Sequence, residues 1–146
     1  MKAGVTISLI VCASLLFLTG TGAYAQTEKE MTPQQLEQQK KLMEGISAEV
    51  DRLAQQLDLD VWQVFYVDSI MTHDYVEMQN ELNEMSAQKI SNISLYQIAQ
   101  YRWQEKIYNA LHQVFDEQQW AKYLKTGAGR EKKARDKALA KLEKTE

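Results

Sequence analysis

Beyond residue 25 the chain has one proline, Pro33, and three glycines, Gly45, Gly127 and Gly129. These two residue types are the strongest interrupters of a helix. Proline lacks the N–H and clashes with the preceding turn, and glycine loses the most backbone entropy on folding. With both scarce, and with no alternating β-branched run or hairpin dipeptide to favour strands, the chain is expected to be all-α.

Caps and apolar steps divide it into helices. Thr32 reads as an N-cap, with Pro33 at the first helical position and Gln35 completing a capping box. Leu36, Met43, Ile46, Val50, Leu53 and Leu57 then recur mostly three and four residues apart, which makes an apolar stripe. Asp58 and Asp60 offer the next cap. After them Val61, Val64, Val67, Met71, Tyr75, Met78, Leu82 and Met85 keep a near-heptad rhythm suited to shallow packing on partner helices. Residues 86–94, with Ser91, Asn92 and Ser94, form the expected turn. A third helix carries Leu95, Ile98, Trp103, Ile107, Leu111 and Val114, and Asp116 caps a fourth with Trp120 and Tyr123. Gly127 and Gly129 break that helix before a charged helical tail from residue 130 to about 144. All eleven aromatics beyond residue 25 lie between positions 62 and 123, which predicts the packed core there and a lighter arm in the first helix.

The first 25 residues read as a secretory leader, with one charge at Lys2, an apolar run over 5–18, and small residues at Ala23 and Ala25 that place cleavage before Gln26. At about 14 residues the run is shorter than the roughly 20 that a membrane-spanning helix needs. The expected location is therefore periplasmic, with no integral span after cleavage. The only cysteine, Cys12, lies in this run, so residues 26–146 must fold without disulfides. The expected division is a leader over 1–25, a helical domain over 26–126 and a charged helical tail over 127–146. Burial in a thin helical unit of this size is marginal, so a homodimer is expected. Residues 26–120 hold 7 Lys and Arg against 16 Asp and Glu, whereas 121–146 hold 9 against 4. Such a basic tail is either a solvated helix end or a contact for phospholipid head groups, an acidic partner or a second subunit's body. The acidic body argues against nucleic acid.

Little in the sequence suits catalysis. No thiol is left beyond residue 25, and Ser47, Ser69, Ser86, Ser91 and Ser94 sit in no nucleophile motif. His73 and His112 are far apart, and neither has a second histidine at the four-residue spacing of a helical metal site. His73 with Asp74 and Glu77 is a weak trio on one helix, read first as a solvated polar face. No glycine-rich phosphate loop occurs, so no catalytic residue, metal or cofactor is assigned and the protein is expected not to be an enzyme.

An internal echo stands out instead. Leu59, Asp60 and Gln63 match Phe115, Asp116 and Gln119, fifty-six positions apart, each as an apolar residue, Asp, two residues and Gln at a predicted helix start. In each the Asp carboxylate can accept a free N–H of the first turn, while the Gln amide reaches back to the cap or out to a neighbouring helix. Two unrelated helix starts would give the same pattern. With a leader, a helical chain free of cysteine and two such boxes, the sequence resembles the Spy/CpxP-like periplasmic proteins, whose leucine-threonine-x-x-glutamine box occurs twice at this separation. The likeness covers residues 53–125. Asp60 and Asp116 stand where that family has threonine, and Phe115 where it has leucine; aspartate caps a helix equally well. The resemblance implies a thin bundle of about four helices, long and antiparallel like hairpins, dimerising into a curved cradle with ATP-independent chaperone or envelope-stress activity. That family's cradle is typically basic, whereas this body is acidic. Histidine-bound metals of some relatives are not carried over.

Met71, Met78 and Met85 share a face at seven-residue spacing and suit either a bundle core or an adaptable client surface. Tyr96 with Trp103, and Tyr101 with Tyr108, repeat at the same spacing on two faces of the third helix; one pair is expected in the core and an exposed pair would form a binding patch. Met71, Met78, Met85, Tyr101 and Tyr108 are thus the candidate protein-binding residues. Two readings remain open: a holdase or stress adaptor for unfolded or envelope proteins, and an interaction protein with one dedicated envelope partner.

Overall fold

The computed structural model describes residues 31–142 and Lys144; the expected leader, with Cys12 and the cleavage position before Gln26, lies outside the described residues. These residues form α1 (Pro33–Leu57), α2 (Val61–Ala87), α3 (Ile93–Val114), α4 (Glu117–Tyr123), a π-helical turn (Leu124–Ala128) and α5 (Gly129–Leu142), with no strand among them. No helix among the described residues is long and apolar enough to cross a membrane.

Side chains start these helices. The Gln35 N–H donates to Thr32 Oγ1 at 3.3 Å, and the Thr32 N–H donates to Gln35 Oε1 at 2.9 Å. α1 stops where Asp58 turns left-handed (φ 53°) and the Leu59 N–H reaches back to the Ala54 carbonyl at 3.0 Å. α2 runs through Ala87, further than expected, and stops the same way: Lys89 takes φ 57° and the Ile90 N–H bonds the Met85 carbonyl at 3.1 Å. The intervening link is short, and Asn92 caps α3 by accepting from the Ser94 N–H at 3.0 Å, so α3 begins before Leu95. Between α4 and α5, Gly127 sits at φ 117°, ψ −18°, a non-helical conformation open only to glycine, and kinks the chain there, so the helix breaks at the expected glycine and α5 starts at Gly129.

The core joins Ile46, Val50, Leu53 and Leu57 of α1 with Val67 and Met71 of α2, Ile107 and Leu111 of α3, and Phe115. Leu36 and Met43, expected in the same stripe, are 58% and 39% exposed, while α2 borders these turns on the side of Gln35, Gln39 and Leu42. α2 packs on both α1 and α3, α1 also meets α4, and α5 lies on α3. The α2–α3 contact is partly polar. Asp74, 5% exposed, receives the Lys106 ammonium at 2.9 Å, and that ammonium stands 4.4 Å over the Trp103 ring, whose indole N–H donates to Glu81. A buried carboxylate needs such a partner. His73 Nδ1 lies 2.8 Å from the same Asp74 oxygen, so Asp74 serves this ion pair rather than a trio with Glu77.

Met31–Glu146 form one compact unit, in which α5 lies on α3. Arg135 donates to Glu105 on α3 at 3.0 Å, and Lys132 reaches the other oxygen of the same carboxylate at 3.2 Å. Both cations also stand 5.7 Å from the Tyr108 ring centroid. Burial pushes the Glu105 carboxyl up, but the hydrogen bonds from Arg135 and Lys132 outweigh it and hold the group below its ordinary value. The basic helix is anchored by an acidic residue of its own chain, not left as a free tail.

Candidate protein-binding site

The two echoing boxes meet. Asp60 (φ −73°, ψ 169°) and Asp116 (φ −72°, ψ 173°) have nearly the same backbone conformation, and each cap accepts from its own glutamine's N–H at 2.8 Å. Each glutamine oxygen accepts in return from its own cap N–H, at 3.1 Å for Gln63 and 2.9 Å for Gln119. The two amides then pair face to face: Gln63 Nε2 donates to Gln119 Oε1 at 2.7 Å, and Gln119 Nε2 donates to Gln63 Oε1 at 2.9 Å. Gln63 Nε2 also donates to the Val114 carbonyl near the end of α3, at 3.0 Å. The two donors and two acceptor positions of the Gln63 amide are thereby all used. Leu59 and Phe115, the apolar residues of the boxes, pack on or in the core, and Gln119 is 8% exposed. This clasp joins the starts of α2 and α4, two points that a local cap cannot connect.

The clasp also decides which way α2 presents its first turns. With Gln63, Val64 and Val67 turned inward, the helical period carries positions 61, 62, 65 and 66 outward. Val61 is 83% exposed, Trp62 72%, Phe65 59% and Tyr66 53%, and Phe65 meets Tyr66 edge to face with centroids 5.6 Å apart. Trp62, Gln63 and Tyr66 border a shallow groove of about 350 Å³ with Gln113 and Val114. Scattered exposed apolar residues are ordinary, but contiguous aromatic ones on one face mark a surface made for contact. The segments that frame it, 58–70 and 109–119, hold Asp58, Asp60, Asp68, Asp116 and Glu117 and no lysine or arginine. The face is aromatic and acidic.

This is not where the sequence placed the binding residues. Met71 is buried at 4% and belongs to the core, while Met78 and Met85 are half-buried, so the three do not form an open client face. Their heptad spacing served packing. Tyr101 and Tyr108 are half-buried on the side of α3 that α5 covers, and Tyr96, whose hydroxyl donates to the Ile90 carbonyl at 3.0 Å, and Trp103 are half-buried as well. Neither pair is an exposed patch. Trp62, Phe65 and Tyr66, expected in the aromatic core, flank Gln63 and are exposed instead. Had Gln63 been taken as joined to the second box, the same period would have turned them outward.

Beneath the second box α4 packs through rings: Trp120 stacks on His112 at 4.2 Å and meets Tyr108 at 4.9 Å, and Phe115 meets Tyr123 at 5.5 Å. The site is thus held by a rigid aromatic layer. Among the described residues no three His, Cys, Asp or Glu side chains gather as a metal site. The fold and this face define an all-helical protein with an exposed aromatic face. No family profile matches the chain, and neither the curated proteins nor the solved structures contain a significant match to it.

Proposed function

We propose that this is an exported, non-enzymatic, protein-binding protein of the Spy/CpxP-like kind, an ATP-independent holdase or envelope-stress adaptor working in the periplasm. The observation that carries the reading is the exposed face of Val61, Trp62, Phe65 and Tyr66, fixed by the Gln63–Gln119 clasp. Its clients are unfolded or envelope segments with apolar residues for the rings and basic residues for the surrounding carboxylates. The long helices lie antiparallel, and two protomers associate through the uncovered stripe of Leu36 and Met43 on α1.

Light scattering of two unrelated aggregating proteins tests the reading, one rich in basic residues and one acidic, each with and without the purified protein. A holdase suppresses both near equal molar ratio without nucleotide, the basic client more strongly, and the Trp62→Ala/Tyr66→Ala variant loses the effect. Suppression of neither, or full suppression by that variant, refutes it. Binding to a single envelope protein alone would favour the dedicated-partner reading, and the mass in solution tests the dimer.

A further inference from the structure

α5 sorts its cations onto two sides. At 3.6 residues per turn, positions 130, 133, 137 and 141 fall within about 80° of one another, and no other position of α5 falls between them. Lys132 and Arg135 lie on the opposite side, where Glu105 and the Tyr108 ring hold them. Arg130, Lys133 and Lys137 are exposed, and among the described residues no ion pair or ring engages them. Lys133 and Lys137 stand four apart, the spacing at which like charges on a helix repel. The chain therefore carries a cationic ridge that its own fold leaves uncompensated. The α2 face is the converse: Val61, Trp62, Phe65 and Tyr66 open to solvent, framed by Asp58, Asp60, Asp68, Asp116 and Glu117 and by no lysine or arginine. Among the described residues, no ion pair or cation–ring contact joins Arg130, Lys133 or Lys137 to this face within one chain.

We propose that the occupant of this face in the absence of a client is the α5 ridge of a second copy of the same chain. The inference rests on reading the face as a protein-binding surface, and it names what regulates that surface. The two patches are complementary in sign, and a lysine or arginine is also attracted to the face of an exposed indole or phenol ring. The ridge has no apolar anchor of its own, so it needs a partner that brings one, and protein contacts are anchored by aromatic residues. A second copy brings both the rings and the carboxylates. An anionic bilayer brings charge without rings, and its phosphates repel the carboxylates around Trp62 and Tyr66. The contact is head-to-tail, ridge of one copy on face of the next, so it does not close on two copies. Client and ridge compete for one surface, and self-association holds the protein in a covered form that a client opens.

Sedimentation velocity tests this on the purified protein, with Leu36→Ser/Met43→Ser carried throughout to remove the α1 association proposed above. At about 50 mM salt the mass should climb past two copies as the concentration rises from roughly 1 μM to 1 mM, and about 500 mM salt should weaken the association by roughly tenfold or more. Trp62→Ala/Tyr66→Ala then offers only a ridge, and Lys133→Glu/Lys137→Glu only a face. Each should stay monomeric alone, while an equal mixture of the two should form one-to-one dimers and nothing larger. All four positions are exposed, so the circular dichroism should not change. Should the charge reversal disturb α5, Lys133→Ala/Lys137→Ala takes its place with the same expected outcome. Undiminished association of either variant alone overturns the proposal, as does a mixture in which the two do not bind each other. A monomer at low salt with both faces intact also overturns it. In light scattering Lys133→Glu/Lys137→Glu should protect a client at least as well, chain for chain, as the protein with its ridge. Protection without self-association refutes this inference alone, whereas self-association without protection upholds it and refutes the holdase.

Discussion

Replacing Gln119 by alanine removes three hydrogen bonds at once: the one from the Asp116 N–H at 2.9 Å and the reciprocal pair with Gln63 at 2.7 and 2.9 Å. At about 1 kcal/mol net for each bond, and with part of the Gln63 amide left unpaired, the cost is about 2–4 kcal/mol. Gln63→Ala removes four bonds, two of them the same reciprocal pair, from a half-buried position, so its cost is similar, about 2–4 kcal/mol. The shared pair makes the two losses non-additive. Once one amide is gone, the other has already lost its partner, so the double variant should fall short of the summed single losses by about 1–3 kcal/mol. Urea unfolding of the four proteins by circular dichroism, with a common slope, measures this coupling. A coupling below about 0.5 kcal/mol would refute the clasp and leave two helix caps acting separately.

The left-handed Lys89 carries a Cβ where glycine would carry none, so Lys89→Gly should stabilise the protein by about 0.5–1 kcal/mol in the same assay. Met71→Ala, in the core, should cost about 2–5 kcal/mol. Trp62→Ala, on the open face, should change stability by no more than about 0.5 kcal/mol while abolishing protection of an aggregating client by light scattering. Glu105 is held below its ordinary value of 4.5, so its contribution is present above that pH and lost as the pH falls through its lowered folded value. The urea midpoint should therefore drop on acidification in the native protein and drop less in Glu105→Gln. Tyr123, raised from 10.0 to about 12, contributes in the opposite sense, with stability lost as the pH climbs between those values and less of that loss in Tyr123→Phe.

Helix starts were legible because their chemistry is local. Thr32, Asp60 and Asp116 each sit three residues before a glutamine, and hydrogen bonds within one turn need no knowledge of the rest of the chain. The end of α2 was legible only to within the turn expected at 86–94, since the helix stops on Lys89 in a conformation usually left to glycine. The same limit applied to the candidate site. Asp60, Gln63, Asp116 and Gln119 could be named in advance, while the exposed face beside them could not, because an aromatic residue reads alike in a core and on a surface.

What the sequence determined by itself is the helical state, through the near absence of proline and glycine beyond residue 25, and the positions of the caps. Both follow from backbone entropy and hydrogen bonding within a few residues. Only the tertiary structure decided that the two boxes grip each other across fifty-six residues, that Met71 is core while Trp62 is open, and that the basic α5 is anchored to Glu105, thirty residues before Arg135. Each of these depends on which helix covers which face. Burial and pairing are properties of neighbours brought together by packing, and periodicity along one helix fixes its stripes without saying which of them meets a partner.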